Sequence, residues 1–482
     1  MVINRRVFLR AAGLGGTAFA LAACGAGQTT VPTTATSSAP TTSAAPATTV
    51  RAIDYPALRG RLTGALLTPG QAGYPAASHG FNTLYDDQHP AAIAKCASAG
   101  DVRACVEAAA GTGTPIAARS GGHSYLGRST PDGGLVVDLG QLSTVEVQAD
   151  GTAVIGPGAR LGDVYRALAA AGRALPGGTC PTVGVGGLAT GGGIGVLTRK
   201  YGLTCDHLTA ATVVTADGTV RTASASAEPD LFWALRGGGG GNFGIVTSFS
   251  FATVPAPDIT VFSLAFPSGS TSRVLAAWQQ WLTQVPAELW STCDVTCGSA
   301  PRAGVVGSFV GTPDELAPYL ATLTGQVAPS SRYVWAKSYL DAMRYFSGGS
   351  NRQTFVATSR ILKTAVDADE IVKAAGYTDM NLLFDSLGGA VSQVAADATP
   401  FPHRSALATV QIYQKANALG LATATGRVTA IRDQLTTLMG AGAYVNYLDA
   451  TTPLADYYGG NLARLRQVAA HYDPDGLFAK LG

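Results

Sequence analysis

One imidazole and one thiol, each set in a run of glycines, mark where this chain could do chemistry. His123 lies in Ala118-Arg119-Ser120-Gly121-Gly122-His123-Ser124. Cys180 lies in Gly177-Gly178-Thr179-Cys180-Pro181-Thr182-Val183-Gly184-Val185-Gly186-Gly187-Leu188, which runs on to Gly191-Gly192-Gly193-Ile194-Gly195. Glycine reaches positive φ and leaves no Cβ between the backbone and a ligand. Successive N–H groups in such a turn form a concavity for phosphate oxygens, and an imidazole nitrogen at its tip can attack an electrophilic carbon. A third block, Asp230-Leu231-Phe232-Trp233-Ala234-Leu235-Arg236, leads into Gly237 to Gly241 and then Asn242-Phe243-Gly244-Ile245-Val246. These glycines are expected to line a ligand wall, because a plain hinge leaves the flanking aromatics and Arg236 unexplained.

Toward the end of the chain, Tyr444 and Tyr447 enclose Val445 and Asn446. A phenol with pKa near 10 is a poor base until positive charge or hydrogen bonding stabilises its anion. The competing reading is a pair of strand aromatics on opposite faces. Cys180 also has a competing reading, a disulfide to Cys205. Gly184-x-Gly186-x-x-Ala189, with Asp206 some twenty residues on, superficially fits a dinucleotide fingerprint, but that motif needs a strand before it and a helix after it. Here Pro176 to Pro181 precede it as a loop, so a nicotinamide site is rejected. No Walker sequence occurs, and no metal site is expected.

The elements that would carry these residues alternate short strands with helices, which argues for an α+β or α/β fold. Asp101 to Ala110 reads as a helix capped by Asp101 with Val102, Val106 and Ala109 on one face. Pro115–Arg119, Leu135–Leu139 and Thr152–Gly156 read as strands, and Leu161–Ala171 as an amphipathic helix. His207 to Thr215, with Asp217-Gly218 at the turn, reads as a hairpin. After Phe251 glycine thins out and aromatics increase, with Trp278, Trp281, Trp290 and Trp335 before residue 440. Gly304–Val310 and Ala406–Tyr413 read there as strands.

A length of 482 residues favours two domains. Hydrophobic residues at 46% and charged residues at 13% fit a globular body, and a net charge of +2 argues against nucleic acid as partner. Sixty glycines are well above ordinary usage, and they cluster between Gly177 and Gly244.

The His123 and Cys180 motifs, in this order and spacing, resemble the berberine-bridge-enzyme-like oxidases of the vanillyl-alcohol-oxidase fold. The resemblance covers residues 75–255 strongly and 440–480 well, through Tyr444-Val445-Asn446-Tyr447-Leu448-Asp449, Tyr457-Tyr458-Gly459-Gly460-Asn461 and Tyr472-Asp473-Pro474-Asp475. The middle matches weakly. The resemblance implies an α+β fold: a two-part FAD-binding domain (54–255, completed by 441–482) and an inserted α/β substrate domain (256–440), its antiparallel sheet covered by helices. It implies FAD bound at Arg119, Ser120, Gly121, Gly122, His123, Ser124, Cys180, Val183, Gly184, Gly187, Gly192, Gly244, Ile245 and Asn446. His123 would bond the flavin 8α-methyl carbon and Cys180 flavin C6. Tyr447 would take the substrate proton, with Tyr444 beside it, and Val183 would leave oxygen access to the flavin. His403 and Arg404, in Phe401-Pro402-His403-Arg404, match a signature expected to be structural.

One departure stands out. Members often carry Glu, Asp, Lys or Gln on the strand at Val410 and Ile412, where this chain is apolar with Gln411 and Gln414 beside. Either the register slips by one or the acid–base partner is missing, leaving Tyr447 alone or with Tyr413. The implied function is oxidation of an alcohol, sugar or secondary metabolite, with hydride passing to flavin and oxygen becoming hydrogen peroxide. A dehydrogenase with another acceptor, or a non-catalytic surface lipoprotein of the same fold, are the alternatives.

The first residues read as an address. Asn4-Arg5-Arg6-Val7-Phe8-Leu9-Arg10 is a twin-arginine signal, and the apolar run Ala11 to Ala23 is too short to span a bilayer. Leu21-Ala22-Ala23-Cys24 resembles a bacterial lipobox, which would tether the chain to the outer membrane face through lipidated Cys24; ordinary cleavage among small residues is the alternative. Residues 1–24 thus read as signal and 25–53 as an uncharged Thr/Ser/Pro/Ala spacer. Export permits disulfides, with Cys96–Cys105 or Cys293–Cys297 as local candidates.

Overall fold

The computed structural model describes residues 52–478. Three sheets carry most of the architecture. In a four-stranded sheet the order is Ala65–Leu67, Ala92–Lys95, Leu135–Asp138, Ile116–Arg119. Its first pair is antiparallel and the others parallel. Five antiparallel strands follow, ordered Val145–Val147, Thr152–Ile155, Ile245–Ala252, Leu208–Val214, Val220–Ser224. The strands read from sequence before residue 252 fall in these two sheets with bounds shifted by a residue or two.

The helix expected from Asp101 begins earlier, as Ala99–Ala109, with Ser98 as its cap. Ser98 Oγ accepts the Asp101 N–H at 3.1 Å. Asp101, only 2% exposed, has another task. Its carboxylate accepts N–H bonds from Thr63, Gly64 and Ala97 at 2.8–3.0 Å and the Thr63 hydroxyl at 2.6 Å. Burial alone would raise its pKa, but these donors outweigh that and hold it at about 2.

A seven-stranded antiparallel sheet spans the middle of the chain, in the order Ser331–Lys337, Ile259–Ala265, Arg302–Val310, Leu289–Thr296, Met380–Ser386, Ala408–Lys415, Phe355–Leu362. Successive side chains on a strand point to opposite faces, and here the two faces differ in kind. Phe262, Leu264, Cys293, Val295, Leu382, Phe384, Val410 and Ile412 pack in one core with Trp278 and Trp281 of the helix Thr271–Leu282 and Ile431 and Leu435 of Gly420–Met439. The opposite face, carrying Leu383, Asp385, Gln411 and Tyr413, turns toward the glycine-rich half of the molecule.

After Gly440 the chain leaves this sheet. Tyr457, Tyr458, Leu465, Val468 and Tyr472 join the core formed by Phe249, Phe251 and Trp233 of the five-stranded sheet region. The backbone between, including the short turn Val445–Tyr447, therefore crosses from one half to the other and carries Tyr447 to the boundary. All six described cysteines are unpaired. The sulfurs of Cys96 and Cys105 stand 4.0 Å apart, so neither local disulfide candidate is formed, and Cys180 is not joined to Cys205.

Candidate active site

A cavity of about 1290 Å³ is lined by residues of both halves. That exceeds the roughly 300–1,000 Å³ typical of a site for one small ligand, leaving room for a dinucleotide and a substrate. Its lining includes Gly111, Thr114, Ala216 and the C-terminal stretch Pro474 to Phe478 from the glycine-rich half, and Trp290, Phe355, Leu383, Asp385, Gln411 and Tyr413 from the seven-stranded sheet.

The strand Ile116–Arg119 delivers the His123 turn to the cavity wall. Arg119 anchors its end to Asp138 with an ion pair of 2.6 Å. The turn then touches the Cys180 loop backbone to backbone. A Cβ on Gly121 would meet the Gly184 nitrogen at 2.3 Å and the Thr182 oxygen at 2.8 Å, so only glycine permits this approach. Gly122 follows at φ +71°. The Cys180 loop is held from its other side: Leu161 and Gly162 donate to the Val183 and Pro181 carbonyls at 2.9 and 3.0 Å, and Val185 donates to Ala159 at 2.9 Å. The segment from Gly184 to Ala189 enters the short helix Val185–Thr190 from a loop, consistent with rejecting the nicotinamide fingerprint.

His123 and Cys180 are brought together through Thr182. His123 Nε2 lies 3.0 Å from Thr182 Oγ1, and Cys180 Sγ lies 3.4 Å from the same oxygen. The imidazole stacks on Phe81, with ring centroids 3.9 Å apart and planes 20° apart. Burial, reinforced by the nearby Arg160 charge, lowers the His123 pKa to about 4, so the ring is neutral at physiological pH.

Whether FAD suits this place can be tested on the backbone. Among the described residues, the N–H groups of Gly121, Gly122, His123 and Ser124 have no acceptor within the protein, although all four residues line the cavity. Unpaired backbone donors are rare in protein interiors, and a row of them fits an anionic or carbonyl-bearing ligand. The residues present fit the cofactor.

Ser120, Gly121, Gly122, His123, Ser124, Cys180, Val183, Gly184, Gly187, Gly244 and Asn446 line the cavity as anticipated, as do Gly239 to Gly241. Three expected contacts stand behind the wall. Arg119 is committed to Asp138. Gly192 backs the Tyr444 ring, to which a Cβ would come within 3.4 Å. Ile245 points into the core beneath the four-stranded sheet, because alternation on its strand sends its neighbours Gly244 and Val246 to the cavity instead.

Also on the cavity wall, Tyr447 stacks on Tyr125 (5.3 Å, 8°) and meets Tyr444 edge-on at 5.1 Å. Tyr444 is 2% exposed, and its hydroxyl accepts the Gly193 N–H and the Asn446 amide, each at 2.8 Å. Asn446 also donates to the Leu188 carbonyl at 3.0 Å. Tyr444 is thus a strut between the tyrosine turn and the glycine loop. Burial raises the pKa values of Tyr125, Tyr413 and Tyr444, so all three remain phenols at neutral pH.

Two residues beyond Tyr447, Asp449 fixes the turn. It accepts the Thr358 and Thr452 hydroxyls and the Thr451 and Thr452 N–H groups, and pairs with Arg432 at 3.2 Å. Burial pushes its pKa upward, but these bonds prevail and hold it at about 2. His403 and Arg404 are structural. Arg404 grips Asp206 with two bonds of 2.7 Å, and His403 Nε2 meets the Ala443 carbonyl at 2.9 Å.

The apolar strand positions are resolved by register. Val410 and Ile412 face the helices, whereas Gln411 and Tyr413 face the cavity. Gln411, one position from the apolar pair, is thus the polar side chain this strand brings to the cavity. Gln411 donates its amide to the Tyr125 hydroxyl. Sequence reasoning missed Tyr125, Asp385 and Trp290. A signal for Asp385 existed, as the one acid in the apolar strand Met380–Ser386.

Comparison with known proteins agrees with this geometry. Residues 90–224 match the "FAD binding domain" family and residues 443–480 the "Berberine and berberine like" family. The chain is 33% identical over 434 residues to the uncharacterized FAD-linked oxidoreductase YgaK of Bacillus subtilis, covering 87% of this chain and 96% of that one. It is 34% identical over 426 residues to the chitooligosaccharide oxidase of Gibberella zeae, covering 81% and 86%. Among solved structures, Physcomitrella patens BBE-like 1 superposes with a TM-score of 0.84 at 28% identity, covering 89% of this chain and 98% of that one. A glucooligosaccharide oxidase from Acremonium strictum, described with a 6-s-cysteinyl, 8 alpha-N1-histidyl FAD, superposes with a TM-score of 0.78 at 29% identity, covering 87% and 96%. Identity at this level, over nearly the full length of its relatives, makes the chain a member of the berberine-bridge-enzyme-like FAD-linked oxidoreductases.

Proposed function

We propose that this chain oxidises the ring hydroxyl at the reducing end of a sugar or oligosaccharide, passing electrons to oxygen through an FAD attached at both His123 and Cys180. The observation that carries the attachment is the single Thr182 hydroxyl within reach of both side chains. With Nε2 engaged there, Nδ1 of a neutral His123 is the nitrogen left to form a bond. When bound, FAD supplies an acceptor for hydride. Tyr447 is the group placed to take the proton from a substrate hydroxyl, a role worth roughly 10²–10⁴ in rate. Tyr125 and Tyr444 hold its ring. The wall formed by the seven-stranded sheet offers apolar surface from Trp290, Phe355 and Tyr413 for the carbon face of a sugar, and Asp385 and Gln411 for its hydroxyls. Relatives named chitooligosaccharide, xylooligosaccharide and glucooligosaccharide oxidases support this substrate class.

Oxygen as acceptor is supported by Val183 on the cavity wall three residues beyond Cys180, where a larger side chain would take up space beside the ring. A panel of reducing sugars, mixed anaerobically with enzyme, should bleach the flavin, and admission of air should release hydrogen peroxide. A panel that leaves the flavin oxidised defeats the carbohydrate reading; bleaching without peroxide leaves a dehydrogenase. Replacing Val183 by Leu should slow reoxidation.

The twin-arginine and lipobox residues lie outside the described part of the chain. Export and tethering through Cys24 remain our reading of the sequence, to be checked by whether Cys24→Ala releases the protein from membranes.

A further inference from the structure

The contact at Thr182 assigns more to that residue than a place in a loop. We propose that Thr182 is the positioning residue for flavin attachment, one hydroxyl that selects the nucleophilic nitrogen of His123 and aims the sulfur of Cys180. The proposal rests on the reading that both residues carry FAD.

A neutral imidazole has one N–H and one lone pair, and the hydrogen bond at one nitrogen decides the role of the other. The Thr182 oxygen stands 3.0 Å from Nε2. With the proton on Nε2, donated to that oxygen, the Nδ1 lone pair is free. The hydroxyl has one hydrogen of its own, and Cys180 Sγ at 3.4 Å is its partner. Hydrogen bonding thus runs from Nε2 through Oγ1 to sulfur. Stacking on Phe81 prevents the imidazole from turning over to exchange its nitrogens, and Phe81 is itself held, its N–H donating to the Gly122 carbonyl at 2.8 Å. The ring's low pKa of about 4 agrees with a neutral nucleophile.

Thr182 is in turn fixed by backbone. Its carbonyl lies where Gly121 and Gly184 approach, and its neighbours Pro181 and Val183 accept bonds from Gly162 and Leu161. The hydroxyl therefore has a set position relative to both attachment residues. No other described side chain is within hydrogen-bond distance of both.

The chemistry balances with the acceptor already named. At His123, a C–H of the flavin methyl group and the imidazole N–H are lost and a C–N bond forms; at Cys180, a ring C–H and the S–H are lost and a C–S bond forms. Each link removes two electrons and two protons, which one dioxygen takes as hydrogen peroxide. After Nδ1 is alkylated, the proton on Nε2 must depart. Thr182 is in contact with it, and the hydroxyl can then reverse and donate to the bare nitrogen.

The test compares wild type with Thr182→Val, which keeps the β-branch and loses the hydroxyl, and Thr182→Ser, which keeps it. Flavin remaining with acid-precipitated protein, and masses of proteolytic peptides containing His123 and Cys180, report each bond separately without any turnover. Thr182→Val is expected to keep wild-type flavin content before precipitation and an unchanged Tm, while its doubly attached fraction falls at least ten-fold. Thr182→Ser should restore it. Thr182→Ala carries the same test if the valine variant does not fold. Double attachment in Thr182→Val or Thr182→Ala equal to wild type overturns the proposal alone. Complete release of flavin from the wild type overturns the attachment reading, and this proposal with it.

Discussion

The two walls of the cavity are built by opposite means. On the cofactor side, backbone does the work: glycine turns abut closely enough that a Cβ cannot enter, and the four N–H groups from Gly121 to Ser124 have no acceptor among the described residues. On the substrate side a regular sheet presents side chains by simple alternation, and Asp385, Gln411 and Tyr413 reach the cavity only because their strand neighbours face a helical core. A wall of backbone tolerates almost no change of residue type, while a wall of side chains can be rewritten without moving the fold. The difference teaches where specificity can vary and where it cannot.

The largest effect should come from the backbone wall. Gly121→Ala would drive a methyl group into the Gly184 nitrogen at 2.3 Å. Something must shift, and what shifts is the contact that brings His123 to Cys180. Loss of nearly all covalent flavin is expected, read as colour in the acid pellet. Retained attachment would mean that the two loops are not held together by that approach.

Tyr447→Phe should cut deeply in a different way. The hydroxyl disappears, but the ring still stacks on Tyr125 and Tyr444, so flavin content and Tm should stay near wild type. A fall in kcat of roughly 10²–10⁴ is expected for loss of a general base. Steady-state kinetics beside flavin content would separate the two walls, since only the substrate side would have failed.

The same contrast explains what the sequence made legible. Glycine runs around His123 and Cys180 are unusual in composition, so most residues lining that side of the cavity could be picked out in the sequence. Arg119, Gly192 and Ile245 lie outside the cavity lining, and a motif does not say which neighbour faces outward. The substrate side has no composition signal. Whether Val410 or Gln411 meets the cavity depends on a register that a shift of one residue reverses, and only packing against helices such as Gly420–Met439 settles it. Tyr125 was hidden for another reason: its partners Gln411 and Tyr447 lie roughly three hundred residues away in sequence.

A smaller effect is expected at Asp385. If its carboxylate holds a substrate hydroxyl, Asp385→Asn should cost about 1.5–3 kcal/mol, the range for hydrogen bonds to charged groups, or roughly 10- to 150-fold in kcat/KM. Covalent flavin should be unaffected, because no backbone of the cofactor side changes. An equal loss of flavin would show that the walls are not separable.

Acid sensitivity should give the smallest effect, and it tests how the walls are joined. His403 links the Phe401–Arg404 segment to Ala443, just before the tyrosine turn, and burial lowers its pKa to about 4. The unfolded chain holds this imidazole near the ordinary value of about 6.5. Between those values the unfolded state binds the extra proton and the native state does not, so stability falls as pH drops from about 6.5 toward 4. His123 falls in the same window, because alkylation at one ring nitrogen leaves the other able to take a proton. Asp101 and Asp449, held at about 2, lose their contribution only below about 4, so the two windows do not overlap. Thermal melting of the flavin-loaded enzyme between pH 7 and 4.5 should therefore report the two buried imidazoles, His403 and His123, and the His403 variant isolates the first of them. His403→Gln should lower Tm at pH 7 through the lost contact and flatten its decline toward pH 4.5. A variant whose Tm declines as steeply as wild type would remove His403 as the acid-sensitive joint between the two walls.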